Sequence, residues 1–328
     1  MNADWIKFLT SNSNLLPKSS DIKLSGSQEL QNTMTAPADF SILKVSGTDA
    51  SSFLQGQLTC NISELTETNS FFTAFCNAKG RTVCTLLIIK TGADFLLILP
   101  TELFGKVSQK MQMYIMRSEV QLNNVTDELC FIGVNAQTAN TLPSMPETDF
   151  AVAQNKQIFI KFPLHGNRYL VIASPSQAIS LWTDLTKTGF TPCHSNSWGE
   201  QDILAGIPWL TQDSSEEYIP QMLNIDKLGG ISFNKGCYTG QEIVARTHYL
   251  GKAKRELFLA YCENNAEINS RIQIKANNNE QTIGKILSLI AKDGHIKMLI
   301  VIPSTDAELN DLRLNNSNQD KITIKDFR

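Results

Sequence analysis

The sequence predicts an α+β protein that ends in a small β-barrel, and three observations carry that expectation. Between residues 40 and 205, short strand-like runs are interleaved with a few amphipathic helices, an order that suits an α+β sandwich better than a doubly wound parallel sheet. After about Gly251 the texture changes to short strands separated by Asn277-Asn278-Asn279 and by the hairpin dipeptide Asp293-Gly294. The length of 328 residues, 42% of them hydrophobic and 19% charged, is enough for two or three domains with a sizeable core. The expected division is 1–250 and 251–328, the first part holding two interleaved α+β subdomains, the second of them roughly 120–190.

The elements follow in order. Residues 40–45 alternate like a strand, and Thr48 or Asp49 caps a helix over Ser51–Leu58 with Phe53, Leu54 and Leu58 on one face. Phe71–Asn77 and Thr82–Lys90 are rich in β-branched and aromatic residues, so they read as a hairpin turning at Ala78–Arg81; Phe95–Leu99 extends it. Thr101–Arg117 is a helix whose apolar stripe is Leu103, Val107, Met111, Tyr114 and Ile115, a core face rather than a cofactor box. Strands at Cys130–Asn135, Ile158–Phe162 and Tyr169–Ala173 alternate with helices at Gln137–Leu142 and Ser176–Thr188, and Ser197–Ala205 forms a further helix. The barrel strands are Leu257–Cys262, Arg271–Lys275, Ile283–Ala291 and Ile296–Ile302.

Composition excludes some functions. A net charge of −3 argues against a whole-molecule grip on nucleic acid, which needs many neutralised phosphates. The longest apolar stretches, Leu86–Ile89 and Leu299–Pro303, fall far short of the ~20 residues of a membrane span. The N-terminal residues lack a secretory or transit pattern, and the seven scattered cysteines include no CxxC pair. The expectation is a cytoplasmic protein with free thiols and no membrane partner.

Three regions invite chemistry. In the first, residues 228–242, four glycines within twelve residues surround Lys235, Gly236, Cys237 and Tyr238. A neighbouring ammonium and the N-terminus of a helix starting near Thr239 would both favour the Cys237 thiolate; the plainer reading is a buried cysteine in a glycine-rich turn. His248 is a weak candidate base, and the isolated histidines and cysteines give no metal-ligand spacing, so no metal site is expected. The second region, Trp198–Asn224, holds Trp209, Tyr218, Gln221 and Asn224, residue types that stack on or hydrogen-bond a heterocycle but that also fill cores. The third, Arg246–Arg255, carries four cations and is either a solvated face or a site for a carboxylate tail or RNA. No P-loop, GxGxxG fingerprint or GxSxG elbow is present.

The run Lys235-Gly236-Cys237-Tyr238-Thr239-Gly240-Gln241-Glu242 resembles the signature of the YgfZ family of folate-binding proteins. Gly47–Thr59, the turn Asn77–Gly80, Ile219–Asn224 and Leu228–Phe233 are similar to further family landmarks, in the same order. The resemblance implies a fold like the glycine-cleavage T-protein, with three domains in a ring around a central folate channel. It also implies binding of tetrahydrofolate or a one-carbon derivative, and a role in making or repairing iron–sulfur enzymes, among them those that thiolate tRNA. On this basis Phe40, Trp198, Gln221 and Asn224 would contact the folate, and cations would meet its glutamate tail. Cys237 would be the functional thiol, with Lys235 lowering its pKa and Gly236, Tyr238, Gly240, Gln241, Glu242 and Arg246 supporting the loop. A Glu common in the family is Leu204 here, with Asp202 as a candidate substitute. Aminomethyl transfer is not expected, because Cys84-Thr85 stands where T-proteins carry an acidic pair. A one-carbon transferase and a tRNA-binding module are the competing functions. Iron–sulfur client or assembly proteins are the expected partners, while a transient cluster finds no support in ligand spacing.

Overall fold

A computed structural model describes residues 1–12, 32–137, 145–164, 166–251, 253–263, 273–276, 282–292, 294–307, 312–315 and 320–327. Helix α1 (Ala3–Asn12) and strand β1 (Thr33–Thr35) precede β2 (Phe40–Ser46) and α2 (Ala50–Gln55). Then come β3 (Ser70–Cys76), β4 (Thr82–Thr91), β5 (Asp94–Pro100), α3 (Thr101–Ile115) and β6 (Gln121–Asn124). The chain continues through β7 (Cys130–Ala136), β8 (Val152–Gln154), β9 (Ile158–Lys161), β10 (Asn167–Ala173), α4 (Pro175–Lys187), β11 (Thr191–Pro192) and α5 (Asn196–Leu204). An irregular run leads to α6 (Gln241–Leu250) and then to β12 (Arg255–Cys262), β13 (Gln273–Ala276), β14 (Thr282–Lys292), β15 (His295–Pro303), β16 (Leu312–Leu314) and β17 (Lys321–Lys325).

Three sheets result. The first has the order β3-β4-β5-β2-β6 and the second β11-β1-β7-β10-β9-β8, while the last six strands close a barrel in the order β12-β15-β14-β13-β16-β17. Strand β15 shows why the barrel docks where it does. Its residues Ile296, Met298, Ile300 and Ile302 fill the barrel, and the alternate Leu299 and Val301 join Leu257 and Leu259 in the main core. A strand apolar on both faces must be covered on both, so the barrel cannot stand free of the sheets without exposing that second row.

The main core is built on the first sheet, whose inner strand β4 is buried through its first eight residues. Helix α3 presents Leu103, Val107, Met111 and Ile115, an i, i+4 row, to that sheet. Each such side chain contributes on the order of 1.5–3 kcal/mol by leaving water, so a charge at Val107 would detach the helix. Tyr114, expected in the same stripe, is exposed because it lies one residue off the row. The helix stops at Ile115, short of Arg117, where Met116 adopts a left-handed φ of 48°. Helix α4 is set by a Ser174–Gln177 capping box followed by Pro175.

Helix α2 is shorter than expected, and its cap differs. Asp49 sits at the N-cap, but its carboxylate accepts the Glu119 N–H at 2.8 Å instead of capping the helix. The helix expected at Gln137–Leu142 falls mostly on residues 138–144, outside the described residues. Among the described residues no helix is long and apolar enough to cross a membrane.

Candidate functional site

A cavity of about 1180 Å³ opens where the first sheet, α5 and the barrel meet. Phe40 at the start of β2, Trp198 and Asp202 on α5, Trp209 beyond α5, and Ser288–Ala291 of β14 line it. Its geometry begins with α5, where Trp198 and Asp202, four residues apart, share one face. Asp202 is buried; one oxygen accepts from Arg168 at 2.5 Å and the other from the Trp209 indole N–H at 2.9 Å. Burial pushes the Asp202 carboxyl up, against the opposing pull of Arg168 and of the indole hydrogen bonds. Burial likewise pulls the Arg168 guanidinium down, against the attraction of Asp202.

Arg168 of β10 also donates to the Trp198 carbonyl at 3.2 Å, and its guanidinium lies 3.8 Å from the Trp198 ring centroid. Trp198 rests on the second sheet at Gly133, where a Cβ would lie 2.3 Å from the indole. Only glycine allows that approach. With 2% of its surface exposed, Trp198 is a buried wall of the cavity with Arg168 against its ring. Phe40 is also a wall residue, 9% exposed, with its ring 4.6 Å from that of Trp209. The half-buried aromatic in the lining is Trp209.

Trp209 is held from three directions. Phe72 packs against it edge-on at 4.7 Å, Asp202 takes its N–H, and Thr85 grips the backbone on either side. The Thr85 hydroxyl donates to the Pro208 carbonyl at 2.7 Å and accepts the Leu210 N–H at 3.1 Å. Cys84 and Thr85 are thus buried in β4, with Thr85 acting as the clamp for the Trp209 loop. In sequence Trp209 is only one of several aromatics, and nothing marks Thr85 as a clamp or Arg168 as a site residue, because their roles depend on partners thirty or more residues away. The buried Ser195 hydroxyl lines the cavity without a hydrogen-bond partner among the described residues.

Other expected contacts lie elsewhere. Gln221 donates to the Val244 carbonyl at 2.7 Å and Asn224 to the Leu257 carbonyl at 3.0 Å, so both tie the irregular run to α6 and β12 rather than line the cavity. Leu204 packs in the core. No lysine, arginine or histidine is among the described residues lining the cavity. The cationic strip 246–255 lies on α6 and the start of β12, away from that lining, and Lys252 is outside the described residues.

The Cys237 loop is a separate feature. Lys235 is buried, and its ammonium donates to the carbonyls of Gln55, Leu58 and Cys60, each at 2.7 Å. It lies 5.0 Å over the buried Tyr238 ring. Burial pulls this ammonium down to about 8, partly countered by the Cys60 thiol. Lys235 therefore staples the loop to the end of α2. The Thr239 N–H bonds the Gly56 carbonyl at 3.1 Å, reinforcing the staple. Helix α6 begins at Gln241, four residues beyond Cys237, so the thiol does not sit at its first turn. Gly240 holds the N-cap with φ 85°, and a Cβ there would lie 2.4 Å from the Asn77 carbonyl. Cys237 is exposed, as are Gly236, Glu242 and Arg246, and Gln241 is half-buried. His248, the candidate base, stacks on Phe233 at 3.7 Å. Among the described residues no three His, Cys, Asp or Glu side chains converge as a metal site.

Comparison with known proteins bears on this arrangement. The profile of the GCVT N-terminal domain matches residues 34–161. The tRNA-modifying protein YgfZ of Colwellia psychrerythraea is 31% identical over 296 residues, spanning 87% of this chain and 90% of that protein. This chain belongs to the YgfZ family. The YgfZ of Yersinia enterocolitica is likewise 31% identical, over 309 residues, 91% of this chain and 93% of its own. The glycine cleavage system aminomethyltransferase T from Bartonella henselae superposes with a TM-score of 0.71 over 90% of this chain and 85% of that one. At 12% identity the likeness is one of fold, and this YgfZ-family chain has the T-protein-like α+β fold with its C-terminal barrel.

Proposed function

We propose that this protein binds tetrahydrofolate or a one-carbon derivative in the large cavity and, through Cys237, assists the making or repair of iron–sulfur enzymes, including some that modify tRNA. The observation that carries the reading is the cavity itself, walled by Phe40, Trp198 and Trp209 around the buried Asp202 on a T-protein-like fold. Its volume of about 1180 Å³ exceeds the several hundred Å³ typical of small-molecule sites, room for a heterocycle and its tail. The unpartnered Ser195 hydroxyl fits a polar heterocycle edge. Trp209 would stack on the pterin, with Phe40 behind it, while Asp202 and Ser195 would take hydrogen bonds from its ring. A reduced folate supplies a one-carbon unit or a readily oxidised ring.

Cys237 supports the second half of the reading because its thiol is exposed on a loop that Lys235 fixes in place. A cluster passing through this site would need ligands from its client protein. The relatives' description as tRNA-modifying proteins supports clients in that pathway. Aminomethyl transfer does not belong to the reading, since neither Cys84 nor Thr85 offers a carboxylate.

Anaerobic calorimetry with tetrahydrofolate tests the folate half. Saturable one-to-one binding that Trp209→Ala weakens at least tenfold is expected; absence of binding to the folded wild type overturns it.

A further inference from the structure

The cavity lining is asymmetric in charge, and this bears on which folate it accepts. Phe40, Trp198, Asp202 and Ser195 form the buried interior, whereas Asp39, Thr101 and Glu102 are exposed lining residues and mark the mouth. The two acidic mouth residues sit together at one side of the opening, where the Glu102 carboxylate is held. The Asp39 carbonyl accepts the Thr101 N–H at 2.8 Å, and Glu102, the next residue, accepts the Gln212 N–H at 3.0 Å. Among the described residues, Arg168 binds Asp202 behind the wall, and Lys297 pairs with Glu200. A ligand with its ring against Trp209 and its tail leaving by this mouth passes two carboxylates and, among the described lining residues, no cation.

We infer that the site selects monoglutamyl over polyglutamyl folates, the mouth carboxylates Asp39 and Glu102 repelling the added charges. The inference rests on the folate reading. Each γ-linked glutamate adds one carboxylate, so a pentaglutamyl tail brings four more negative charges to the mouth than the monoglutamyl form. Across exposed groups such repulsion is modest and screened by salt, which sets the expected discrimination at about 3- to 10-fold at low ionic strength. A site that used the tail for affinity would show the opposite order.

The test is anaerobic calorimetry of the full chain with tetrahydrofolate and with its pentaglutamyl form, at low salt and again at high salt. Weaker binding of the pentaglutamyl form is expected, with the gap closing at high salt and in the double variant D39N/E102Q. Glu102→Gln keeps an acceptor for the Gln212 N–H, and both positions are exposed, so this variant should fold. Equal or tighter binding of the pentaglutamyl form overturns the inference and leaves the folate reading standing. A gap that persists in the double variant also overturns it, by removing the carboxylates as its cause. Binding of neither form overturns the folate reading and this inference together.

Discussion

Replacing Lys235 by methionine separates a staple from a thiol activator. Three carbonyls, of Gln55, Leu58 and Cys60, accept from its ammonium at 2.7 Å, and the latter two residues are buried. Hydrogen bonds from a charged donor contribute about 1.5–3 kcal/mol each, and an abandoned buried acceptor costs about 1–3 kcal/mol. The bonds share one donor atom and are not additive, and methionine relieves the cost of burying a charge, so the net loss should be about 3–5 kcal/mol. Lys235→Gln, which keeps up to two donors, should lose less, and it serves if the methionine variant does not fold. Urea unfolding followed by circular dichroism measures the stability, and mass spectrometry after iodoacetamide pulses measures each thiol. The staple requires the stability loss together with faster alkylation of Cys60, which the loosened end of α2 uncovers. A stability change below about 1 kcal/mol, with Cys237 alkylation slowed tenfold and Cys60 unchanged, would refute the argument and restore Lys235 as an activator.

Further outcomes follow from the same geometry. Trp198→Ala should destabilise by about 3–5 kcal/mol because it empties a buried wall, whereas Trp209→Ala should lower folate affinity at a smaller cost in Tm; the reverse split would exchange their roles. Iodoacetamide at neutral pH should modify the exposed Cys237 well before the buried Cys60, Cys76, Cys84, Cys130 and Cys262. Burial pushes the Cys60 thiol up to about 11 and Cys76 up to about 12, which adds to their protection, and equal rates would contradict this structure. Glu216 sits against partial burial in hydrogen bonds from Asn77, Lys106 and Lys110 that hold its carboxyl down to about 2. Its folded value lies below the unfolded one of ~4.3, so its stabilisation is complete above that value and is lost as pH falls toward 2; screening limits it to on the order of 1–2 kcal/mol. Glu216→Gln should flatten the acid limb of stability by that amount, and an unchanged acid limb would exclude this role.

The fold is legible wherever a run of residues carries its own signal. The hairpin β3–β4, strands β5, β7, β9 and β10 and four barrel strands stand out as runs of β-branched, aromatic and aliphatic residues, and α3 as an i, i+4 row. Strands β1, β8 and β11, of two or three residues each, carry no such signal, because their conformation is set by the partners they pair with. The cap of α2 was misread for a related reason: Asp49 has a better acceptor role with the Glu119 N–H seventy residues away than with its own helix. At the site, Phe40 and Trp198, the aromatics the sequence points to, line the cavity, with Arg168 against the Trp198 ring. Gln221 and Asn224 have the right chemistry to bind a ligand, but main-chain carbonyls of α6 and β12 take their donors first.

The Cys237 loop shows how packing can sharpen a motif. Nearness in sequence placed Lys235 beside Cys237, but a lysine carries its charge at the end of a long flexible stem, and here that stem runs beneath α2 to Cys60. Once this is seen, several neighbours have structural reasons for their identity. Lys235 staples, Tyr238 lies under its ammonium, Thr239 bonds Gly56 through its N–H, and Gly240 takes a left-handed turn so close to Asn77 that a side chain would collide. Cys237 itself has no such packing reason, since its thiol faces solvent while five of the other six cysteines are buried. A free thiol on a stapled loop is open to reagents and partners, and the role proposed above for Cys237 asks only for that accessibility, not for electrostatic help from Lys235.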